Sequence, residues 1–316
     1  LLGLVGSEMC IRDRDTDAIV YLSYPDSIIN YRDTTSMRLV FLSLLPLVVT
    51  ACGGDDSSSS DPFSGIERYS LNPYVGASES LQNDSYEGTW VGVVEVTQER
   101  YNMVNAEVPE TRAVSSLTSM VIRERSNGAG LEVANCSGNF EDLSLTTAGV
   151  QSSFITADKN SANTLTYGIS GSRYVPLSFV SGYDEDYSVE ATFQRVSDSV
   201  AAMGTMTFNW SDTDGQSTSD VYCITVENYP DNQKRAIYSG ENDSIISLAD
   251  FTAYPQYDVY VAQDEHEGVV SGVLDTGTRN FSFSEETDTS FSMTYSAEGL
   301  DGLSVSGEAS ATIPVQ

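Results

Sequence analysis

The chain has 316 residues, with 15 Lys and Arg against 46 Asp and Glu and a single histidine, for a formal net charge of −31. A surface this acidic repels nucleic-acid phosphate and anionic lipid, which sets nucleic acid aside as a partner. One histidine excludes a multi-histidine zinc centre and leaves His266 as the only route to Ser-His-Asp or Cys-His catalysis.

Residues 4–14, LVGSEMCIRDR, resemble the translation of a transposase-type sequencing-library adapter. Residues 1–36 are therefore read as non-native read-through, with the native start at Met37. The segment MRLVFLSLLPLVVTAC follows. Arg38 is a short positive n-region, and Leu39–Val49 is an apolar run of secretory length, too short for a stop-transfer helix. Val49-Thr50-Ala51-Cys52 resembles the lipobox of bacterial lipoproteins. The resemblance implies that residues 37–51 are a signal peptide and that the Cys52 thiol is acylated. Cys52 then anchors the chain in a membrane, since each buried CH₂ contributes roughly 0.8 kcal/mol. The inner-membrane retention signal known in some bacteria is an aspartate after the cysteine. Gly53 stands there, so the expected location is the outer membrane, on its periplasmic or surface face.

A chain beginning at Cys52 keeps 11 of the 15 basic and 40 of the 46 acidic residues. Residues 52–85 are rich in Ser, Asp, Gly and Asn, the composition of a flexible acidic tether and a disordered N-terminal region. Two cysteines remain outside the adapter and the lipobox, Cys136 and Cys223. In an oxidising compartment they form one disulfide. No CxxC spacing supports redox or metal chemistry.

From Tyr86 onward the hydrophobic period is two. Met206, Phe208 and Trp210 share one face of MTFNW, and Val189, Ala191 and Phe193 share one face of SVEATFQRV. Leu303, Val305, Ala309, Ala311 and Ile313 alternate with polar residues. One dry and one wet face is the antiparallel signature. Turn-forming residues separate the runs in SNGAG, SDTDGQSTS and SEETDTS. No amphipathic helix of ten residues is evident. The expected fold is all-β, an antiparallel sandwich or barrel of about fifteen short strands over 86–316. It forms either one sheet system or two parts, 86–228 and 243–316, divided near the PDNQK stretch at 230–234. An echo relates YEGTWVGVVEV at 86–96 to HEGVVSGVLDT at 266–276.

Few motifs carry chemistry. Gly88-Thr89-Trp90 resembles the G-x-W start of lipocalin-type barrels, in which the tryptophan packs across the barrel floor beneath an apolar ligand. That family's later arginine motif is not evident, and ordinary core is the simpler role for Trp90. VLDTGT at 273–278 resembles the catalytic loop of aspartic proteases, but the second such loop that the chemistry needs is absent. Asp212 and Asp214 in DTDG, and Asp184 and Asp186 in YDEDY, are weak calcium candidates without the ligand spacing of a calcium loop. DEHE at 264–267 is a further acidic cluster. No cofactor is otherwise implied. The chain is expected to act without catalysis, as a binding or structural module engaging a protein or glycan. A calycin-like carrier of a small apolar ligand and an acid hydrolase using paired carboxylates are the alternatives.

Overall fold

The structure, a computed structural model, describes residues 61–315 apart from 82, 84, 102–109, 153–154, 162, 179–180, 251–258, 264–265, 272–278 and 299–301. Eighteen strands and one short α-helix fall within the described residues. The first eight strands are β1 (Gly88–Tyr101), β2 (Glu110–Glu124), β3 (Leu131–Ala134), β4 (Phe140–Leu145), β5 (Gly149–Gln151), β6 (Thr156–Ser161), β7 (Thr164–Ser178) and β8 (Ser181–Ser197). Each pairs antiparallel with the next, and β8 returns to pair with β1. The result is an eight-stranded barrel closed by the β1–β8 pairing.

The wall divides at β2. Its Ile122–Glu124 end pairs with β3, while Ser115–Met120 on the same edge pairs with β11 (Cys223–Asn228). The sheet runs on from β11 through β12 (Lys234–Ser239), β13 (Ile245–Asp250) and β14 (Val259–Gln263) to β15 (His266–Ser271). A second sheet has the order β10 (Ser217–Val221), β9 (Gly204–Trp210), β18 (Ser304–Thr312), β17 (Ser290–Glu298) and β16 (Arg279–Thr287).

Two cores result. Trp90, Val94, Met120, Ile122, Leu165 and Phe193 fill the barrel. Met206, Phe208, Trp210, Tyr238, Leu248, Met293 and Tyr295 fill the space between the second sheet and the β11–β14 extension. Strand β1 serves both, because alternate side chains point to opposite faces. Trp90 and Val94 enter the barrel, while Val91 packs in the second core.

The alternation read in MTFNW, SVEATFQRV and the C-terminal run matches the burial of β9, β8 and β18. Two features differ from the sequence reading. The strands are not all short: β1, β2, β7 and β8 have 14, 15, 15 and 17 residues, so β3–β6 line only part of the wall. The run that follows the SDTDGQSTS turn is not one strand, since Tyr222 separates β10 in one sheet from β11 in the other. The 230–234 stretch forms the tight connection between β11 and β12.

Residues 61–81, given to the tether on composition, are folded onto the body as a strap. It contains a 3₁₀ turn (Asn72–Tyr74) and the helix α1 (Val75–Ser80). Phe63 and Ile66 bury against Ala113, and Tyr74 and Ala77 enter the second core. The average polarity of 52–85 conceals these apolar residues, which stand singly among polar ones from Phe63 onward.

Candidate functional site

The floor of the barrel is built around Gly88. Its φ is +134°, and a Cβ there would sit 2.2 Å from the Ser197 carbonyl oxygen, so only glycine lets β1 start against the end of β8. Two residues on, Trp90 is fully buried, and its indole N–H donates to the Tyr86 carbonyl at 2.8 Å. Its register partner on β8 is Arg195, also fully buried. The Arg195 guanidinium donates to Asn163 Oδ1 at 3.1 Å, to the Glu87 carbonyl at 3.0 Å and to the Asn83 carbonyl at 2.8 Å. Thus Trp90 lies in the barrel core, the simpler of the two roles open to it, beside an arginine that no local motif announces. Only the β1–β8 pairing brings the two together.

Beyond the reach of β3–β6 the inner face of the long strands changes character. Leu165 is buried, Tyr167 half-buried and Ile169 40% exposed along one face of β7. Burial raises the Tyr167 hydroxyl pKa, with nearby Tyr187 adding. Farther along, Glu185 on β8 is fully buried and accepts from Arg173 Nε at 2.9 Å and Nη2 at 2.6 Å.

On the outside of the barrel, a groove of about 550 Å³ separates strap residues 69–71 from the faces of β1, β8 and β7. Leu71 and Val93 supply apolar surface, and Ser70, Thr166 and Thr192 supply hydroxyls. Glu95 and Glu190 lie directly opposite each other on β1 and β8. Two carboxylates so placed repel. Arg68 answers this by donating to both Glu95 oxygens, at 2.6 and 2.5 Å, with its guanidinium 4.7 Å above the Phe63 ring. The hydrogen bond to Glu95 is the largest cause raising the Arg68 pKa, with charge from Asp61 and Glu190 adding. Glu190 stays exposed on the groove floor.

The cysteines assigned to a disulfide form one. Cys136 and Cys223 have Cα atoms 5.3 Å apart, both are buried, and the bond ties the β3–β4 connection to the first residue of β11. The calcium candidates fall in two places along the chain. Asp212 and Asp214 are exposed in the β9–β10 turn. Asp186 is exposed on β8, where Ser172 Oγ donates to it, and Asp184 precedes it on that strand. Among the described residues, no group of three or more His, Cys, Asp or Glu is placed to hold a metal ion. Cys52, the signal segment and DTGT at 275–278 lie outside the described residues, as do Asp264 and Glu265. His266 opens β15, paired with Gln263.

No family model matches the chain, and no curated protein matches it. Among solved structures, it is similar to a crystal structure of a protein of unknown function from the DUF3598 family of Nostoc punctiforme. The identity is 8%, over 72% of this chain and 96% of that one, with a TM-score of 0.17. At that score the likeness carries no argument about what this chain does.

Proposed function

We propose that the chain is a lipid-anchored, non-enzymatic binding module of the bacterial envelope, and that the groove beside the strap takes a hydroxyl-rich ligand of glycan type. The carrying observation is the Arg68–Glu95–Glu190 arrangement in that groove. Arg68 occupies both Glu95 oxygens, so Glu95 is held as a fixed anion and is not free to work with Glu190 on a substrate as acid and nucleophile. Glu190, Thr166 and Thr192 offer acceptors and hydroxyls beside Val93 and Leu71. That mixture of polar edge and small apolar patch suits a sugar ring. The anchor and the outer-membrane address rest on the lipobox and Gly53.

Calorimetric titration with soluble cell-wall oligosaccharides tests the site. Glu190→Gln is expected to weaken binding at least tenfold without lowering the melting temperature. Equal binding by the variant, or no binding by the wild type, overturns the reading.

A second reading, a calycin-like carrier, draws on the closed barrel, on Trp90 beside Arg195, and on Ile169 exposed on the strand face that is buried elsewhere. Displacement of a polarity-sensitive naphthalene dye by fatty acids, abolished by Ile169→Arg, is the outcome it expects. A dye that never binds removes it.

A further inference from the structure

We infer that the groove beside the strap selects a sugar carrying a free, positively charged amine, seated over Gly168 against Glu190. The inference deepens the glycan reading above and rests on it.

Three register partners form a row across the groove floor. Glu190 on β8 faces Glu95 of β1 on one side and Gly168 of β7 on the other. With neighbouring strands about 4.8 Å apart, the row is about 10 Å wide. Its two ends differ. Glu95 is held by the Arg68 fork. At the other end, a Cβ built on Gly168 would meet no atom within 4 Å, so the glycine leaves open space directly beside Glu190. Neither a left-handed φ nor close packing calls for glycine there. A glycine inside a strand weakens it, and often marks the place where a ligand comes close to the backbone.

Charge sets the sign of that ligand. Glu95, Asp61 and Glu190 all bear on the charge of Arg68, so one cation faces three anions. No Lys or Arg is among the described residues that line the groove. A divalent metal ion does not suit the site, since among the described residues no group of three or more His, Cys, Asp or Glu is placed to hold one. An ammonium asks for less: one carboxylate to accept a charge-assisted hydrogen bond. Glu190 supplies it. Thr166 and Thr192, register partners of each other on the same face, offer hydroxyls to the rest of the ring. A neutral N-acetyl group in that seat leaves the repulsion between Glu95 and Glu190 in place.

Calorimetric titration of the full chain at about pH 6, below the range of an ordinary amine, compares the β-1,4-linked disaccharide of glucosamine with its di-N-acetyl form. The free amine is expected to bind about tenfold tighter. Glu190→Gln is expected to bring that ratio close to one. Asp212→Asn with Asp214→Asn, in the exposed β9–β10 turn, is expected to leave it unchanged. Gly168→Val puts a strand-forming side chain into the open space, and is expected to weaken both sugars at least tenfold without lowering the melting temperature. Equal affinity for the two sugars overturns the inference and leaves the glycan reading standing. So does a preference that survives Glu190→Gln, or one that falls as far with the Asp212 and Asp214 changes, the mark of general charge alone. Wild-type affinity in Gly168→Val overturns it as well. Binding of neither sugar overturns the glycan reading and this inference with it.

Discussion

Gly92 lies directly beneath the ring of Phe193, its register partner on β8, and a Cβ at Gly92 would sit 2.0 Å from Phe193 Cδ1. The glycine has no side chain of its own to pack, so the phenylalanine covers its backbone and fills the barrel above the Trp90 floor. Gly92→Ala is expected to destabilise the protein by about 1–3 kcal/mol, since the buried ring must leave its rotamer or β1 must shift. Phe193→Ala alone should cost about 3–5 kcal/mol through the cavity it leaves. The double variant should cost less than the sum. Guanidinium unfolding of the three variants measures this, and strict additivity would show that the two positions do not compete for the same space.

Arg195 seals the floor through its geometry as well as its charge. Replacing it with leucine removes the donor from the part-buried Glu87 and Asn83 carbonyls, at about 0.5–1.5 kcal/mol for each hydrogen bond lost. Arg195→Lys should recover less than half of the loss, because an ammonium cannot reproduce the fork that reaches Asn163, Glu87 and Asn83 together. Chemical unfolding of both variants decides the point.

Tyr74, Tyr238 and Tyr295 all have hydroxyl pKa values raised above the usual tyrosine value, with burial the largest cause in each. The folded state keeps these protons while the unfolded chain releases them near pH 10. Their contribution is thus complete below about pH 10 and declines as pH climbs toward the folded values, by up to about 1.4 kcal/mol per pH unit for each. Unfolding midpoints followed from pH 8 to 12 should fall along an alkaline limb that becomes shallower in Tyr295→Phe. At neutral pH the same series separates two environments. Tyr295 donates to the Thr207 carbonyl at 2.8 Å, so its loss should cost about 1 kcal/mol. The Tyr238 hydroxyl is buried with no partner among the described residues, and Tyr238→Phe should be neutral or stabilising.

The Cys136–Cys223 bond closes 87 residues and joins the rim of the barrel to the strand that begins the second β unit. Cys136→Ala with Cys223→Ala is expected to cost about 2–5 kcal/mol. Both cysteines are buried, so the native protein should keep its melting temperature in mild reductant and lose it only when reductant is present during refolding. Paired thermal scans report the difference.

Period-two alternation was legible wherever one strand face meets solvent, as in β9 and β18. It failed at Tyr222, where the chain changes sheet while the hydrophobic pattern continues without a break. The strap escapes a reading of composition because averaged polarity is a poor measure of a segment that buries single residues at intervals. Of the candidate site, Trp90 was visible through its glycine two residues earlier. Arg68, Glu95, Glu190 and Arg195 carried no local signal, because each is an ordinary polar residue until a partner distant in sequence gives it a role.

The sequence alone set the class: alternating apolar positions allow only half-buried strands, two spare cysteines allow one bridge, and a single histidine removes whole branches of catalysis. What it could not set was closure. Whether β8 returns to β1, and whether β2 divides its edge between β3 and β11, depends on long-range backbone hydrogen bonds that look the same for every residue type. The geometry of those pairings placed Arg195 beside Trp90 and set Glu190 against the Glu95 that Arg68 holds.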